Sequence, residues 1–227
     1  SYSNITTPTG YEIIRETENG IETVTLGKPV ASIGDRYYTS IQDAFAASST
    51  SSNNASTIEL LDTVAITSTV TFPETHYAKL NMNGHTIKRT NGSYTITNKG
   101  TLTISKTGTI SNTFHAIYNQ GTLTIDGPTI ASTSTTQSYY GIINMKEVNV
   151  NSGVVKGPLG GITNGTGDIS STGNEVINVA GGEITNTSNS TTSIYVRKGQ
   201  ATISGGTIEG GTGVSVYTGT LKVTGGK

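Results

Sequence analysis

Carboxylates, histidines and tyrosines are the side chains in this sequence able to do chemistry, and their spacing sorts them. Cleavage of a sugar polymer needs two carboxylates on neighbouring repeats, either to hold a cation or to act as paired acid and base. When the repeat described below is aligned, the slot of Asp126 holds Asn83, Ser105, Asn151, Ala180, Ser204 and Thr224 in the other copies. The slot of Glu183 holds Thr86, Thr109, Thr129, Val154 and Thr207. Neither slot stacks two carboxylates. Glu147, Glu175 and Glu209 fall in different registers, and Asp168 lies in an insertion, so no catalytic residue is assigned. His76, His85 and His115 sit in unrelated slots without metal-ligand spacing, and cysteine is absent, so no metal site and no cofactor is expected. The tyrosines are different. Tyr118 and Tyr195 alternate outward in the same strand slot, and Tyr139 and Tyr140 stand in a neighbouring insertion. Aromatic faces on a wall suit stacking against sugar rings, and these four are the candidate ligand-binding residues. The competing reading is that they simply cover a pleated surface.

The elements that position them are copies of one phrase. NKGTLTISK at 98–106 returns as NQGTLTIDG at 119–127. Aligned on its Leu, the pattern is an apolar residue, any residue, a second apolar residue, a glycine-containing turn, and another Ile or Val. The anchors Ile58, Leu80, Leu102, Leu123, Val148, Ile177, Ala201 and Leu221 follow at steps of 22, 22, 21, 25, 29, 24 and 20 residues. A unit of this size cannot bury its own apolar face and must stack on its neighbours. The period inside each unit is two, so the stacked pieces are strands. The spacing predicts an all-β chain, a right-handed parallel β-helix of about eight coils over 58–227.

A second strand precedes most anchors, as in Ala116-Ile-Tyr-Asn119 and Gly141-Ile-Ile-Asn144. Period two places its terminal Asn on the inward side. This predicts a structural ladder of Asn98, Asn119, Asn144 and Asn164, replaced further on by Val196 and Val216. The alternative is a polar ligand site made of those amides. The long steps mark insertions at 131–140 and 164–172, where binding loops would leave the wall.

Residues 1–57 lack the repeat. An Asn19-Gly20 pair between alternating segments predicts a hairpin. Ile41, Ala44 and Phe45 behind Thr39 or Ser40 predict a short helix that caps the first coil. The two parts are expected to form one structural unit. Charged residues are 13% and the formal net charge is −1, which gives no electrostatic footprint for nucleic acid. No apolar run approaches the ~20 residues of a membrane span. The abrupt start at Ser1 and the end at Lys227 read as a piece of a longer polypeptide, with further domains as its covalent partners and a monomeric state.

IGDRYYTSIQDAFAA, then TIELLDTV, then LNMNGHTI, resembles the opening of pectate-lyase-like right-handed parallel β-helix modules in large surface proteins of Gram-positive bacteria. The resemblance covers roughly residues 30–90, and the Gly-Thr-Leu-Thr-Ile repeats extend it. It implies an extracellular, cell-surface location and a non-catalytic module for adhesion, with a glycan or the host extracellular matrix as partner. A rigid stalk is the alternative, and a polysaccharide lyase or hydrolase the second alternative. Some surface domains of these bacteria form Lys-Asn cross-links, which need an apolar pocket with a carboxylate.

Overall fold

Alternation of inward Ile, Leu and Val with outward Thr, Asn and Ser produces three walls of parallel strands, described in a computed structural model over residues 11–18, 21–165, 172–188 and 190–227. The first wall holds Ser56–Leu60, Tyr77–Asn81, Thr101–Ser105, the first parts of Thr122–Ser132 and Glu147–Gly157, then Val176–Val179, Gln200–Ile203 and Thr220–Val223. The second wall holds Val64–Ala65, Thr86–Arg89, Thr109–Asn112, the later parts of the two long strands, Glu183–Asn186 and Thr207–Glu209. The third holds Val70–Phe72, Tyr94–Asn98, His115–Asn119, Tyr140–Asn144, Gly160–Asn164, Thr192–Val196 and Thr212–Val216. The chain is a parallel β-solenoid. Eight strands on the first wall bound seven complete turns, so the solenoid has about seven turns rather than the eight coils expected from counting anchors.

The core is a set of stacked apolar rows. Leu102 pairs in register with Leu123, Leu123 with Val148, Val148 with Ile177, and Ile177 with Ala201. Ile87, Ile110, Ile130, Val155 and Ile184 form the corresponding row of the second wall. Those from Leu102 to Ile184 are at most 1% exposed, and each fully buried Leu, Ile or Val stabilises the fold by roughly 1.5–3 kcal/mol.

The first two anchors sit two places off the expected alignment. Ile58 pairs with Leu80, but Leu80 pairs with Ile104, and Ala78 takes the place opposite Leu102. The cause is turn length. Leu80 to Ile104 spans 24 residues and Ile104 to Ile125 spans 21, because 82–85 and 90–93 each place four residues between strands where 106–108 and 113–114 place three and two. A step of 22 from Leu80 therefore ends two residues short of its partner, and an offset of two preserves the inward direction because the side-chain period is two. Thr101 and Thr103 consequently lie beside Tyr77 and Lys79, and Ser105 beside Asn81 rather than Asn83. A bulge likewise sets Asp126 against Ser152 and not Asn151.

The N-terminal segment closes the first coil. Strands Glu12–Glu18 and Ile21–Gly27 pair antiparallel; the Asn19-Gly20 turn lies outside the described residues. Ala31–Ile33 pairs antiparallel with both Arg36–Tyr38 and Ser56–Leu60. Helix Ile41–Ala46 starts at Ser40, whose hydroxyl accepts from the Asp43 amide at 3.1 Å, satisfying a donor that the first turn leaves open. It buries Ile41, Ala44 and Phe45, and Phe45 meets Phe72 edge to face at 5.2 Å. Phe45 and Leu102 belong to one continuous apolar core.

Candidate functional site

The third wall ends, turn after turn, in asparagine. Asn98 Nδ2 donates to Asn119 Oδ1 at 2.8 Å, Asn119 to Asn144 at 2.8 Å, and Asn144 to Asn164 at 2.9 Å. The same Nδ2 groups also donate to the carbonyls of Thr122, Glu147 and Val176, and that of Asn164 to Lys198. All four side chains are fully buried. At one end the neighbour is Phe72, which has no donor, and Asn98 Oδ1 is left without a partner. The amides are spent on the corner, leaving no exposed amide for a ligand. The glycines at 100 and 121 follow this corner because a Cβ on Gly121 would sit 2.0 Å from the Gly100 carbonyl oxygen.

Fixing that corner fixes the outward face of the wall. Tyr94 pairs with His115 and Tyr140 with Gly160, while Tyr118 pairs with Thr97 and Ile143. The Tyr94 ring stacks on Tyr118 at 4.9 Å with planes 19° apart, and on His115 at 5.9 Å and 27°. His115 in turn stacks on Tyr140 at 6.3 Å and 10°, and meets Tyr139 edge to face at 5.1 Å. Phe114 supports Tyr139 at 4.9 Å. Tyr140 lies over Gly160, where a Cβ would come within 2.8 Å of its ring, and its hydroxyl reaches Thr163. Tyr195 stands in the Tyr118 slot three rungs on, through Ile143 and Thr163. Arg197 lies 5.7 Å over the Tyr195 ring.

Three of the four tyrosines read from the sequence thus lie in one contiguous set of rings, and Tyr195 lies further along the same wall. The structure adds Tyr94, His115 and Phe114 to this set. The signal was available: Tyr94, His115 and Tyr140 each stand eight residues before their anchors Leu102, Leu123 and Val148. Burial shapes the electrostatics here. It pushes the His115 imidazolium down to about 4 and the Tyr140 phenol up to about 12. It also raises Tyr94, helped by the neighbouring Tyr118, and raises Tyr118 against a hydrogen bond from Gln120. All four groups are uncharged at neutral pH. The patch therefore offers aromatic surface and neutral hydrogen-bonding groups, a lining suited to an uncharged ring with hydroxyls around it.

The insertion at 131–140 delivers Tyr139 and Tyr140 to this patch and ties to the next loop through Gln137 Nε2, which donates to Ser190 Oγ at 3.0 Å. Of the second insertion, 166–171, with Asp168, lies outside the described residues. Glu175 is fully buried and accepts from the amides of Thr172 and Gly173.

A polar cluster occupies a different corner. Glu59 accepts from Asn81 Nδ2 at 2.6 Å and from Asn83 Nδ2 at 2.7 Å, and Lys106 Nζ donates to Asn83 Oδ1 at 2.9 Å and lies 3.5 Å from Glu59. Lys, Asn and Glu meet as an amide cross-link requires, but the pocket is open: Lys106 is 51% and Glu59 35% exposed. Burial works to raise the Glu59 carboxyl, yet the hydrogen bonds from Asn83 and Asn81 and the charge of Lys106 hold it below the usual range. A carboxylate held in its ionised form cannot serve as the acid that assists such a cross-link. Among the described residues no three His, Cys, Asp or Glu side chains gather to hold a metal ion, and no helix is long and apolar enough to cross a membrane.

No family model matches the chain, and neither a curated protein nor a solved structure matches it.

Proposed function

We propose that this β-solenoid is a non-catalytic carbohydrate-binding module of a bacterial surface protein, contacting its ligand through the aromatic wall. The observation that carries the reading is the contiguous set Tyr94, His115, Tyr118 and Tyr140, stacked at 4.9–6.3 Å on a rigid parallel sheet. The edges of these stacked rings and their phenol hydroxyls give a sugar a preformed surface, and the hydrogen-bonded corner beneath keeps the binding entropy small. The resemblance of residues 30–90 to surface-protein β-helix modules supports an extracellular setting, with glycans or host matrix as the partner.

A rigid spacer is the second reading, favoured by the continuous core and the asparagine ladder. Seven steps of ~4.8 Å make a rod about 34 Å long. Screening the chain against glycan arrays and matrix proteins separates the two. Specific binding that is lost in Tyr118→Ala supports the module; silence across both panels supports the spacer.

A further inference from the structure

We infer that the ligand of the aromatic wall is an acidic glycan, bearing carboxylate or sulfate groups, laid along the solenoid axis with its anionic groups toward the corner of Lys99, Lys146 and Lys198. The inference rests on the glycan-binding reading above and adds the charge class and orientation of the ligand.

Charge on this chain is balanced overall, 14 basic against 15 acidic residues, and the strands of the first and second walls carry both signs, Glu59, Asp126, Glu147, Glu183 and Glu209 beside Lys79, Lys88, Arg89, Lys156 and Lys222. None of the seven strands of the third wall contains Asp, Glu, Lys or Arg, so the charge along this wall comes from its corners. The corner joining the third wall to the first adds cations. Lys99 follows the rung of Asn98, Lys146 that of Asn144, and Arg197 and Lys198 that of Val196. Asn98, Asn119, Asn144, Asn164 and Val196 end successive strands of the wall, so the cations recur on every second rung, about 10 Å apart.

Lys99, Lys146 and Lys198 are exposed, and none of these cations is ion-paired among the described residues. Arg197 is additionally held over Tyr195, which ties the cationic row to the aromatic one. Among the described residues two carboxylates lie on the same corner. Glu74 sits in the turn before the first of these rungs, and Glu175 belongs to the rung between Lys146 and Lys198, where it is fully buried and accepts from the amides of Thr172 and Gly173. At the opposite edge of the wall the loops at 133–139 and 187–191 carry hydroxyl and amide groups, and the Arg89 guanidinium there is engaged with the Thr69 hydroxyl and the Tyr94 carbonyl. A chain of sugars seated on the rings thus meets a row of exposed cations on one side and mostly neutral hydrogen-bonding groups on the other. Rows of this kind steer and orient a charged partner.

The test is calorimetric titration of the whole chain with carboxylated and sulfated glycans, each paired with its carboxyl-reduced or desulfated form, and with polyglutamate as a sugar-free polyanion. The expected result is binding of an acidic glycan that weakens with salt. Lys146→Ala with Lys198→Ala should weaken it by roughly tenfold, while Lys88→Ala on the second wall leaves it unchanged. Equal binding of the neutralised glycan, abolished by Tyr118→Ala, overturns the charge assignment and leaves the glycan reading standing. No binding by any glycan, or binding that polyglutamate reproduces and Tyr118→Ala spares, overturns both.

Discussion

The backbone amide of Tyr140 donates to His115 Nδ1 at 3.0 Å, bridging two adjacent turns through a ring that is itself packed between Tyr94 and Tyr140. His115 is therefore a structural member of the aromatic wall, held neutral with its proton on Nε2. Its folded-state pKa is lowered from 6.5 to about 4 by burial, so the unfolded chain binds its proton first. Stability is then unaffected by this group above about pH 6.5, falls as the pH drops through that value, and has lost the whole term by about pH 4, a total of roughly 3 kcal/mol. Denaturant unfolding between pH 7.5 and pH 4 should show that decline, and His115→Gln should flatten it; an unchanged slope in the variant contradicts the assignment.

The asparagine ladder predicts a graded response to substitution. Asn119 has a neighbour on both sides, so Asn119→Ala removes the acceptor of Asn98, empties a buried site and should destabilise by about 3 kcal/mol. Asn164 adjoins the strand where Val196 already replaces Asn. Asn164→Val should therefore cost less, about 1 kcal/mol. Equal losses in chemical denaturation would mean that the ladder bonds do not set the stability of the corner.

Lys106, Asn83 and Glu59 have the arrangement of a cross-link and the wrong protonation for it. The intact mass should equal that of the sequence, and Lys106 should remain open to amine-specific labelling. A mass lower by one ammonia, with Lys106 joined to Asn83 in a peptide digest, would refute the electrostatic argument.

What could be read from the sequence was what repeats. The inward residues Leu102, Leu123 and Val148 and the corner residues Asn98, Asn119, Asn144 and Asn164 obey the period of the solenoid, because each must meet its equivalent on the next turn. What escaped depended on places where the period is broken. The displacement of Leu80 comes from additional residues in the turns 82–85 and 90–93, and the pairing of Asp126 with Ser152 from a bulge. Neither follows from hydrophobic alternation. The Glu59 and Lys106 contact joins residues 47 apart in sequence, through a turn where both Asn83 and Lys106 take positive φ. Tyr94 and His115 were overlooked for another reason: aligning on inward residues leaves unexamined the outward slot eight places before each anchor. His115, the ring that connects Tyr94 to Tyr140, carries no aromatic signal in the sequence comparable to tyrosine.

The claim that the third wall is the glycan-contacting face is tested most directly by assigning the tyrosine ring resonances and adding a glycan that the chain binds. The account predicts that the rings of Tyr94, Tyr118 and Tyr140 shift together and saturate at one concentration, while Tyr37 and Tyr77 stay in place. Saturable binding that moves Tyr37 or Tyr77 and leaves the other three rings unmoved would contradict it.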